Sequence, residues 1–404
     1  MLGVLQKELG ISTIPHHTTI RQWILKRGYC QITHQTFEKA KDWVGIFDLT
    51  IGVGALKCLL VLGVRLTHLK DREDGFTLTH QDVQVIGLYY NTKSSGEFVH
   101  TSLKEAEAKI GSSFASLLLD QGPDVTKGAN NYKEGSKNTT IVHDISHKIA
   151  NVLEKTLKND MHWKLFCEHL TATKQSVQQT LDLAALMPPK LRSQARYMSI
   201  DVLMSWIIRF QESKKAGTMN SISQERFDEY FGWLLPLEPH IECWKQMVAI
   251  GEMIKDVVRT NGYSHKIYQR LEDVLAAQYP DALPMVTDFI DAALNAVWDE
   301  VEKLKPRQVV LGDSRVIESI FGKFKQSTSS QLQGITIGAL GIATFMAGNE
   351  MTEVKKAMEI TTMGQVLEWG KKHIGDSLAS LRRKFFPHKK RNKNCENSRG
   401  VAYT

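Results

Sequence analysis

Long apolar stretches and paired cysteines are both missing from this chain of 404 residues. Charge or glycine interrupts its apolar runs well before the ~20 residues that a bilayer-spanning helix needs, and no basic segment followed by a long apolar one opens the chain. The five cysteines are scattered, odd in number and never form a CxxC pair, which argues against a disulfide framework and a zinc knuckle. We therefore expect reduced thiols and an intracellular protein with no membrane partner, cytoplasmic in a prokaryote or nuclear in a eukaryote.

A large excess of one charge is also missing. The formal net charge is +7, but seven Lys or Arg fall within residues 381–393, LRRKFFPHKKRNK. Such a run is usually a solvated terminus, although it also suits a polyanion such as DNA phosphate. We predict a basic disordered tail over residues 381–404. The hydrophobic content of 42% predicts a sizeable core and, at this length, two or three domains.

Strand-like runs dominate residues 44–120. They read, in chain order, VGIFDLTIG, KCLLVLGVRL, DVQVIGLYY and SFASLLL, and a helical segment, SLKEAEAKI, separates the third from the fourth. A fifth run, TTIVHDI, leads into a helix, SHKIANVLEKTL. From about 150 to 305 the apolar spacing is helical, after which a short strand, QVVL, precedes the helical SRVIESIFGKFK. This order predicts an α/β domain interrupted by an all-helical insertion.

Three isolated carboxylates need an explanation. Asp48 lies within the first apolar run, Asp120 ends the fourth, and Glu318 lies on the helix after the insertion. Each has an ordinary alternative: Asp48 as a turn cap, Asp120 as a turn residue before Gly-Pro, and Glu318 as a solvent-facing helix residue. Buried carboxylates that share a cation form the functional alternative, because burial is unfavourable without a partner. Oxygen ligands without a Cys or His cluster favour two Mg²⁺ or Mn²⁺ ions.

The joint pattern resembles the DDE transposases, whose catalytic domain has a ribonuclease H-like fold. SLLLDQGPDVTKGA and DSRVIESIFGKFK are similar to the second and third signature regions of that family. The element Asp144-Ile-Ser-His147 resembles the C/DxxH element of hAT-like and related transposases, and it lies, as there, before a helical insertion. The resemblance implies that Asp48, Asp120 and Glu318 are catalytic metal ligands. It gives Asp144 and His147 an accessory role, whereas the ordinary alternative is a helix start capped by Asp144.

We expect DNA contacts at two groups of basic residues. A third segment, near the N-terminus, is similar to part of a DNA-binding module. Lys323 and Lys325, on the Glu318 helix, could contact phosphate, as could Arg382, Arg383 and Lys384 in the tail. PHHTTIRQWILKRG, residues 15–28, resembles the last helix of a helix-turn-helix region; the ordinary and commoner alternative is an amphipathic helix that packs against the rest of the protein. In that helix Ile20, Trp23 and Ile24 would form the apolar face, and Arg21, Lys26 and Arg27 would point outward.

We therefore predict a DNA transposase that cleaves phosphodiesters and transfers strands at transposon ends, with double-stranded DNA (terminal repeats and target) and further copies of itself as partners. The predicted fold is an α/β, ribonuclease H-like mixed sheet with an all-α insertion. Its predicted regions are a partial DNA-binding region or linker (1–40), the first catalytic part (41–150), the insertion (151–305), the catalytic end with C-terminal helices (306–380) and the tail (381–404). Two alternatives stay open. One is a phosphotransferase or ATPase of the actin-like superfamily, because FDLTIGVGALKCLLVLG resembles its phosphate-binding strand-turn-strand, although no second glycine-rich motif accompanies it. The other is a catalytically inert, domesticated DNA-binding protein.

Overall fold

The computed structural model describes residues 15–51, 56–69, 72–180, 182–190, 200–217, 222–327, 335–347, 350–376 and 378–386. Within these ranges the chain is a mixed α/β protein with one five-stranded sheet. The strands are β1 (Trp43–Ile51), β2 (Lys57–Arg65), β3 (Gln84–Asn91), β4 (Ser116–Leu119) and β5 (Thr140–His143). The α-helices are α1 (His17–His34), α2 (Gly96–Ile110), α3 (Pro123–Gly135), α4 (Ile145–Leu157), α5 (Met161–Val177), α6 (Ile200–Lys215), α7 (Gln224–Phe231), α8 (Glu238–Asn261), α9 (His265–Gln278), α10 (Pro284–Val301), α11 (Arg315–Ser327), α12 (Gly341–Thr344), α13 (Met351–Ile360), α14 (Met363–His373) and α15 (Leu378–Phe385). Short 3₁₀ helices cover Leu66–His68, Ala184–Leu186, Gly232–Leu237 and Ile337–Leu340.

The sheet has the strand order β3-β2-β1-β4-β5. β2 runs antiparallel to both of its neighbours, whereas β4 is parallel to β1 and β5 is parallel to β4. Each of the five apolar runs of the sequence overlaps one of these strands, so the prediction of strands there is confirmed. The turn between β1 and β2, which carried the resemblance to a phosphate-binding loop, includes residues 52–55, which lie outside the described residues.

Side chains alternate between two cores, one on each face of the sheet. In β1, Phe47 belongs to the core under α2 and α3, whereas Ile46 belongs to the larger core formed with the later helices. β4 repeats this alternation, with Leu119 on the first face and Leu118 on the second. Both faces of the central strands are therefore covered, which explains why their sequences are nearly continuously apolar.

The described residues between α4 and α11 are mostly helical, and aromatic side chains pack in their interior. Trp163 on α5 packs edge-on against Trp244 on α8 with ring centroids 5.0 Å apart, and Phe166 contacts both Trp244 and Trp233. α10 packs against both α4 and α8. These contacts join the helical segment to the sheet at α4.

The prediction of a short strand after Pro306 is wrong. Val310 forms only an isolated antiparallel bridge with Tyr263, and the two residues exchange both backbone hydrogen bonds. The segment therefore pairs with the corner between α8 and α9 instead of joining the sheet. Gly312 then accepts a hydrogen bond from the backbone of Ile145 at 2.9 Å, which brings the chain back to the end of β5.

The predicted apolar face of the N-terminal helix is wrong. Trp23 is 46% and Ile24 43% exposed, whereas Leu25 and Gly28 are the buried residues of α1. α1 packs against α12, α13 and α14, and this contact uses the other side of the helix from the one expected.

The disordered tail predicted from residue 381 is also partly wrong. α15 continues to Phe385 because its basic residues, Arg382, Arg383 and Lys384, occupy its last turn, where positive charge is favourable. Residues 387–404 lie outside the described residues.

Candidate active site

Asp48 and Asp120 lie side by side on adjacent strands. The parallel pairing of β1 with β4 matches Val44 to Ser116 and ends with Phe47 opposite Leu119. Asp48 and Asp120 are the next residues in this register, and neighbouring strands are ~4.8 Å apart. The sheet therefore brings together two carboxylates that are far apart in the sequence.

Both aspartates face the side of the sheet against which α11 packs. Ile46 and Leu118, two residues earlier on each strand, belong to the core that α11 shares, and side chains two residues apart point to the same face. α11 packs against β1, so the helix that carries Glu318 crosses this face.

Glu318 lines a cavity. The cavity has a volume of about 180 Å³ and is lined by α4, α8, α11 and the start of α6, with Lys255 and Arg315 among its charged residues. The side chain of Glu318 is exposed, but the surrounding protein partly encloses it. This enclosure raises the pKa of Glu318, an effect that Asp144 and Asp120 strengthen and that His147 opposes.

Asp48 is coupled to the other carboxylates. Burial raises the pKa of Asp48 to about 6, and the negative charges of Asp120 and Glu318 add to the rise. The backbone N–H of Leu49, which donates to Asp48 Oδ1 at 2.6 Å, and the charge of His147 oppose it. Mutual repulsion among three acidic groups is the electrostatic property expected of a site that takes up a cation.

Asp144 joins two segments that are distant in sequence. Its Oδ1 accepts hydrogen bonds from the backbone N–H of His147 at 3.0 Å and from its ring Nδ1 at 3.1 Å. Its Oδ2 accepts from the backbone N–H of Ser314 at 2.6 Å and from the Ser314 hydroxyl at 2.8 Å. Asp144 therefore caps α4 and holds the residue that precedes α11. The alternative that Asp144 caps a helix is correct for Oδ1, whereas Oδ2 binds the residue at the start of the helix that carries Glu318.

His147 supplies positive charge between the carboxylates. Its Nε2 lies 3.6 Å from Oδ2 of Asp120. Burial disfavours the imidazolium, but the hydrogen bond and charge of Asp144, together with the charges of Asp120 and Glu318, raise the pKa of His147 to about 9. Although burial favours the neutral acid, the hydrogen bonds and charge of His147 and the hydrogen bond from Ser314 hold the pKa of Asp144 below its ordinary value.

A further carboxylate of this cluster, Asp313, was not identified from the sequence. Burial raises its pKa to about 7, strengthened by the charges of Asp144 and Glu318 and opposed by Arg259 and Lys255. Its Oδ2 accepts a hydrogen bond from Arg315 Nε at 2.9 Å. The only signal in the sequence is a polar Asp-Ser pair between the apolar VVLG and the helix, and this pair also suits an ordinary helix start.

A buried ionic network joins α10 to the end of β5, the strand that precedes Asp144. Glu300 on α10 is 1% exposed and accepts hydrogen bonds from the backbone N–H of His143 at 3.0 Å and from Lys303 at 2.7 Å. Its other oxygen lies 2.7 Å from Lys148 Nζ. Burial opposes ionisation, but His143, Lys148 and Lys303 lower the pKa of Glu300 to about 2.

The residues predicted to bind DNA are on the surface. Lys323 and Lys325 are exposed on α11, and Lys323 Nζ lies 2.9 Å from Nδ1 of His80. The three basic residues of α15 are exposed, and Lys384 pairs with Asp376 at 2.6 Å. The two groups lie on different helices.

The chemistry of the donor set fits a hard divalent metal ion. Asp48, Asp120 and Glu318 offer only carboxylate oxygens, which Mg²⁺ and Mn²⁺ prefer. Among the described residues, no group of three Asp, Glu, His or Cys side chains is arranged to hold a metal ion. Asp48 and Asp120 each accept a hydrogen bond from a nearby backbone N–H, of Leu49 and Gly122, through Oδ1, so a metal ion would be bound through Oδ2 of each carboxylate.

Comparison of the chain with protein-family models finds no match, and comparison with curated proteins finds none either. In the described parts of the chain, every helix is too short or too polar to cross a membrane.

Proposed function

We propose that this chain is a DDE-type DNA transposase with a ribonuclease H-like catalytic domain. One observation carries the proposal: the pairing of β1 with β4 puts Asp48 next to Asp120, and the charges of both act on Glu318. Glu318 follows the long helical segment in the sequence. The strand order β3-β2-β1-β4-β5 with an antiparallel β2 supports the same fold. The long helical segment before the Glu318 helix agrees with an insertion of the hAT-like kind.

The proposed cofactor is a pair of Mg²⁺ or Mn²⁺ ions. Asp48, Asp120 and Glu318 would hold them, and bound ions of this kind activate an attacking oxygen and stabilise the leaving oxygen of a phosphodiester. Asp144 positions Glu318 by fixing the start of α11 through Ser314. His147, beside Asp120, balances the negative charge of the carboxylates. None of these roles requires a nucleophilic side chain.

The proposed substrate is double-stranded DNA, and pairing of two transposon ends implies a homo-oligomer. If the basic residues of α15 contact phosphates, the Arg382→Gln, Arg383→Gln, Lys384→Gln triple variant should bind DNA more weakly at every sequence. Its plot of log affinity against log salt should be less steep by about 2–3, because each lost phosphate contact removes about 0.9. Fluorescence anisotropy with a labelled duplex over a salt series measures this. An unchanged slope would show that α15 does not contact the DNA.

The catalytic proposal is tested by metal-dependent cleavage of supercoiled plasmid, which requires no knowledge of the terminal repeats. Asp48→Asn, Asp120→Asn and Glu318→Gln should each reduce nicking in Mg²⁺ or Mn²⁺ by at least about a hundredfold, because each removes a metal ligand. Asp291→Asn, at an exposed carboxylate of α10, is the matched control and should act like the wild type.

Two results would contradict the proposal. Wild-type nicking rates in Asp48→Asn and Glu318→Gln would exclude these residues as metal ligands. A wild-type protein that neither cleaves DNA nor gains thermal stability from either metal ion would exclude the activity itself.

A further inference from the structure

A second cavity lies away from the carboxylates, between α1, the start of β3 and α13. Its volume is about 410 Å³, which is within the range of small-molecule sites. β3 is an edge strand, with β2 between it and the strand that carries Asp48. The cavity therefore belongs to a different part of the molecule from the candidate active site.

Arg27 is the unusual residue in this cavity. Its Nη2 atom is buried and has no hydrogen-bond partner among the described residues. Guanidinium groups stay charged in proteins, and a buried N–H without an acceptor destabilises the folded state, more so when the group is charged. Such a group in a native structure indicates a missing acceptor, either water or a ligand.

The surroundings favour an anion as that acceptor. Lys356 lines the same cavity and, with Arg27, outweighs the one carboxylate there, Glu353. Both cations lie near Cys30: burial raises the pKa of this thiol, and the charges of Lys356 and Arg27 oppose the rise. The site thus concentrates positive charge where a negative ligand could enter.

The remaining wall is rich in side-chain amides, contributed by Gln31, Gln35, Gln81 and Gln84. Gln35 Nε2 donates to Gln84 Oε1 at 3.0 Å, whereas Gln35 Oε1 is buried and unpaired within the described part of the chain. The cavity therefore places side-chain amides next to its cations.

We propose that this cavity binds an oxyanion of the phosphate class, with Arg27 as its principal donor and Lys356 as its second cation. Arg27 matches this ligand because its planar group can donate two parallel hydrogen bonds to one phosphate. The phosphate group belongs either to a small molecule or to a DNA backbone, and the two sources can be separated by experiment.

The probe is the reactivity of Cys30, which lines the cavity and is partly exposed, whereas Cys58, Cys167 and Cys243 are buried. Cys395 lies outside the described residues and is first replaced by Ser. Labelling of the full chain with iodoacetamide is then followed in inorganic phosphate or a 20-base-pair duplex, each against chloride at equal ionic strength. At a ligand concentration ten times the Kd, labelling of Cys30 should slow about tenfold, because about one-tenth of the sites stay free.

Arg27→Met and Lys356→Met should each reduce this protection. Arg21→Met is the matched control, because Arg21 is an exposed arginine on the same helix, and it should keep the protection. Without ligand, Arg27→Met should melt at the same temperature as the wild type or higher, since it removes a guanidinium whose buried Nη2 has no partner among the described residues. This second measurement shows that a loss of protection is not a loss of folding.

Protection by inorganic phosphate that Arg27→Met abolishes supports a small-molecule ligand, and protection by the duplex alone, abolished in the same way, supports a DNA phosphate. Equal labelling with and without both probes would overturn the proposal. Protection of the same size in Arg27→Met and Arg21→Met would also overturn it, because the anion would then act elsewhere.

Discussion

Replacing Asp48 by Asn should stabilise the metal-free protein at neutral and alkaline pH. The folded protein raises the pKa of this carboxyl from 3.8 to about 6, through burial and the charges of Asp120 and Glu318. A raised carboxyl pKa means that the folded state binds the proton more tightly than the unfolded chain does. Stability is therefore unaffected below about pH 4, falls as the pH rises to about 6, and stays reduced above it.

The size of this effect follows from the shift. One pKa unit corresponds to about 1.4 kcal/mol, so the ionised carboxylate destabilises the folded state by about 3 kcal/mol, or about 2 kcal/mol after allowance for its partial exposure. Asn has nearly the same shape, and its side-chain oxygen can still accept the N–H of Leu49. Asp48→Asn should therefore raise the free energy of unfolding by about 2–3 kcal/mol at pH 8 and leave it unchanged at pH 4.

Urea unfolding in EDTA at several pH values measures this difference. Asp291→Asn, the exposed control, should follow the wild type at every pH. Addition of Mg²⁺ should then stabilise the wild type more than Asp48→Asn, because the ion relieves the repulsion that the substitution has already removed. Destabilisation of Asp48→Asn at pH 8, or an equal gain at pH 4 and pH 8, would refute the proposed coupling of the carboxylates.

Four further substitutions test other contacts. Asp144→Asn should lower the pKa of His147 from about 9 towards 6.5, because the charge of Asp144 is a main cause of the rise; NMR titration of the imidazole measures it, and an unchanged pKa would be contrary evidence. Gly28→Ala should destabilise the protein by about 2 kcal/mol or more, since the new Cβ would lie 2.0 Å from a main-chain oxygen of the C-terminal helices. Gly322→Ala, with no atom within 4 Å of its new Cβ, should instead stabilise by about 0.5–1 kcal/mol, and equal effects in urea unfolding would refute this contrast. Glu300→Ala should destabilise by about 3 kcal/mol at neutral pH, because the buried Lys148 loses the closer of its two carboxylate partners and the backbone N–H of His143 loses its acceptor. Because the pKa of Glu300 is lowered to about 2, that difference should disappear as the pH falls from about 4.5 towards 2, and a constant difference over this range would argue against the ion pairs.

The sheet could be predicted from the sequence because its information is local. Each strand is a short apolar run bounded by turn residues, and the strands of the central sheet are buried on both faces. The same pattern exposes Asp48 as an exception and puts Asp120 directly after the fourth run. Their adjacency follows once β1 and β4 pair in parallel, and the pairing partner is not contained in either run alone. The third carboxylate is harder to place because the distance between Glu318 and the sheet depends on how the whole helical segment folds.

Asp144 shows why contacts of this kind escape a reading of the sequence. As the residue before a helix, Asp144 is explained by capping, and one of its oxygens does cap α4. The other oxygen binds Ser314, whose distance along the chain hides the contact. Capping thus explains one carboxylate oxygen of Asp144 correctly and says nothing about the contact of the other.

The N-terminal helix shows a second limit, since two of its faces have helical apolar spacing. Ile20, Trp23 and Ile24 form one stripe, whereas Leu25, Gly28 and Ile32 form another, and hydrophobicity favours the first. The structure uses the second because Gly28 lets α1 approach the backbone near Leu340 closely, and close approach is a property of shape that a hydrophobic pattern does not record. This choice of face also turns Arg27 towards the cavity instead of towards solvent. The close contact between Gly28 and Leu340 therefore decides which face of α1 is buried and also places Arg27 in the cavity of the proposed oxyanion site.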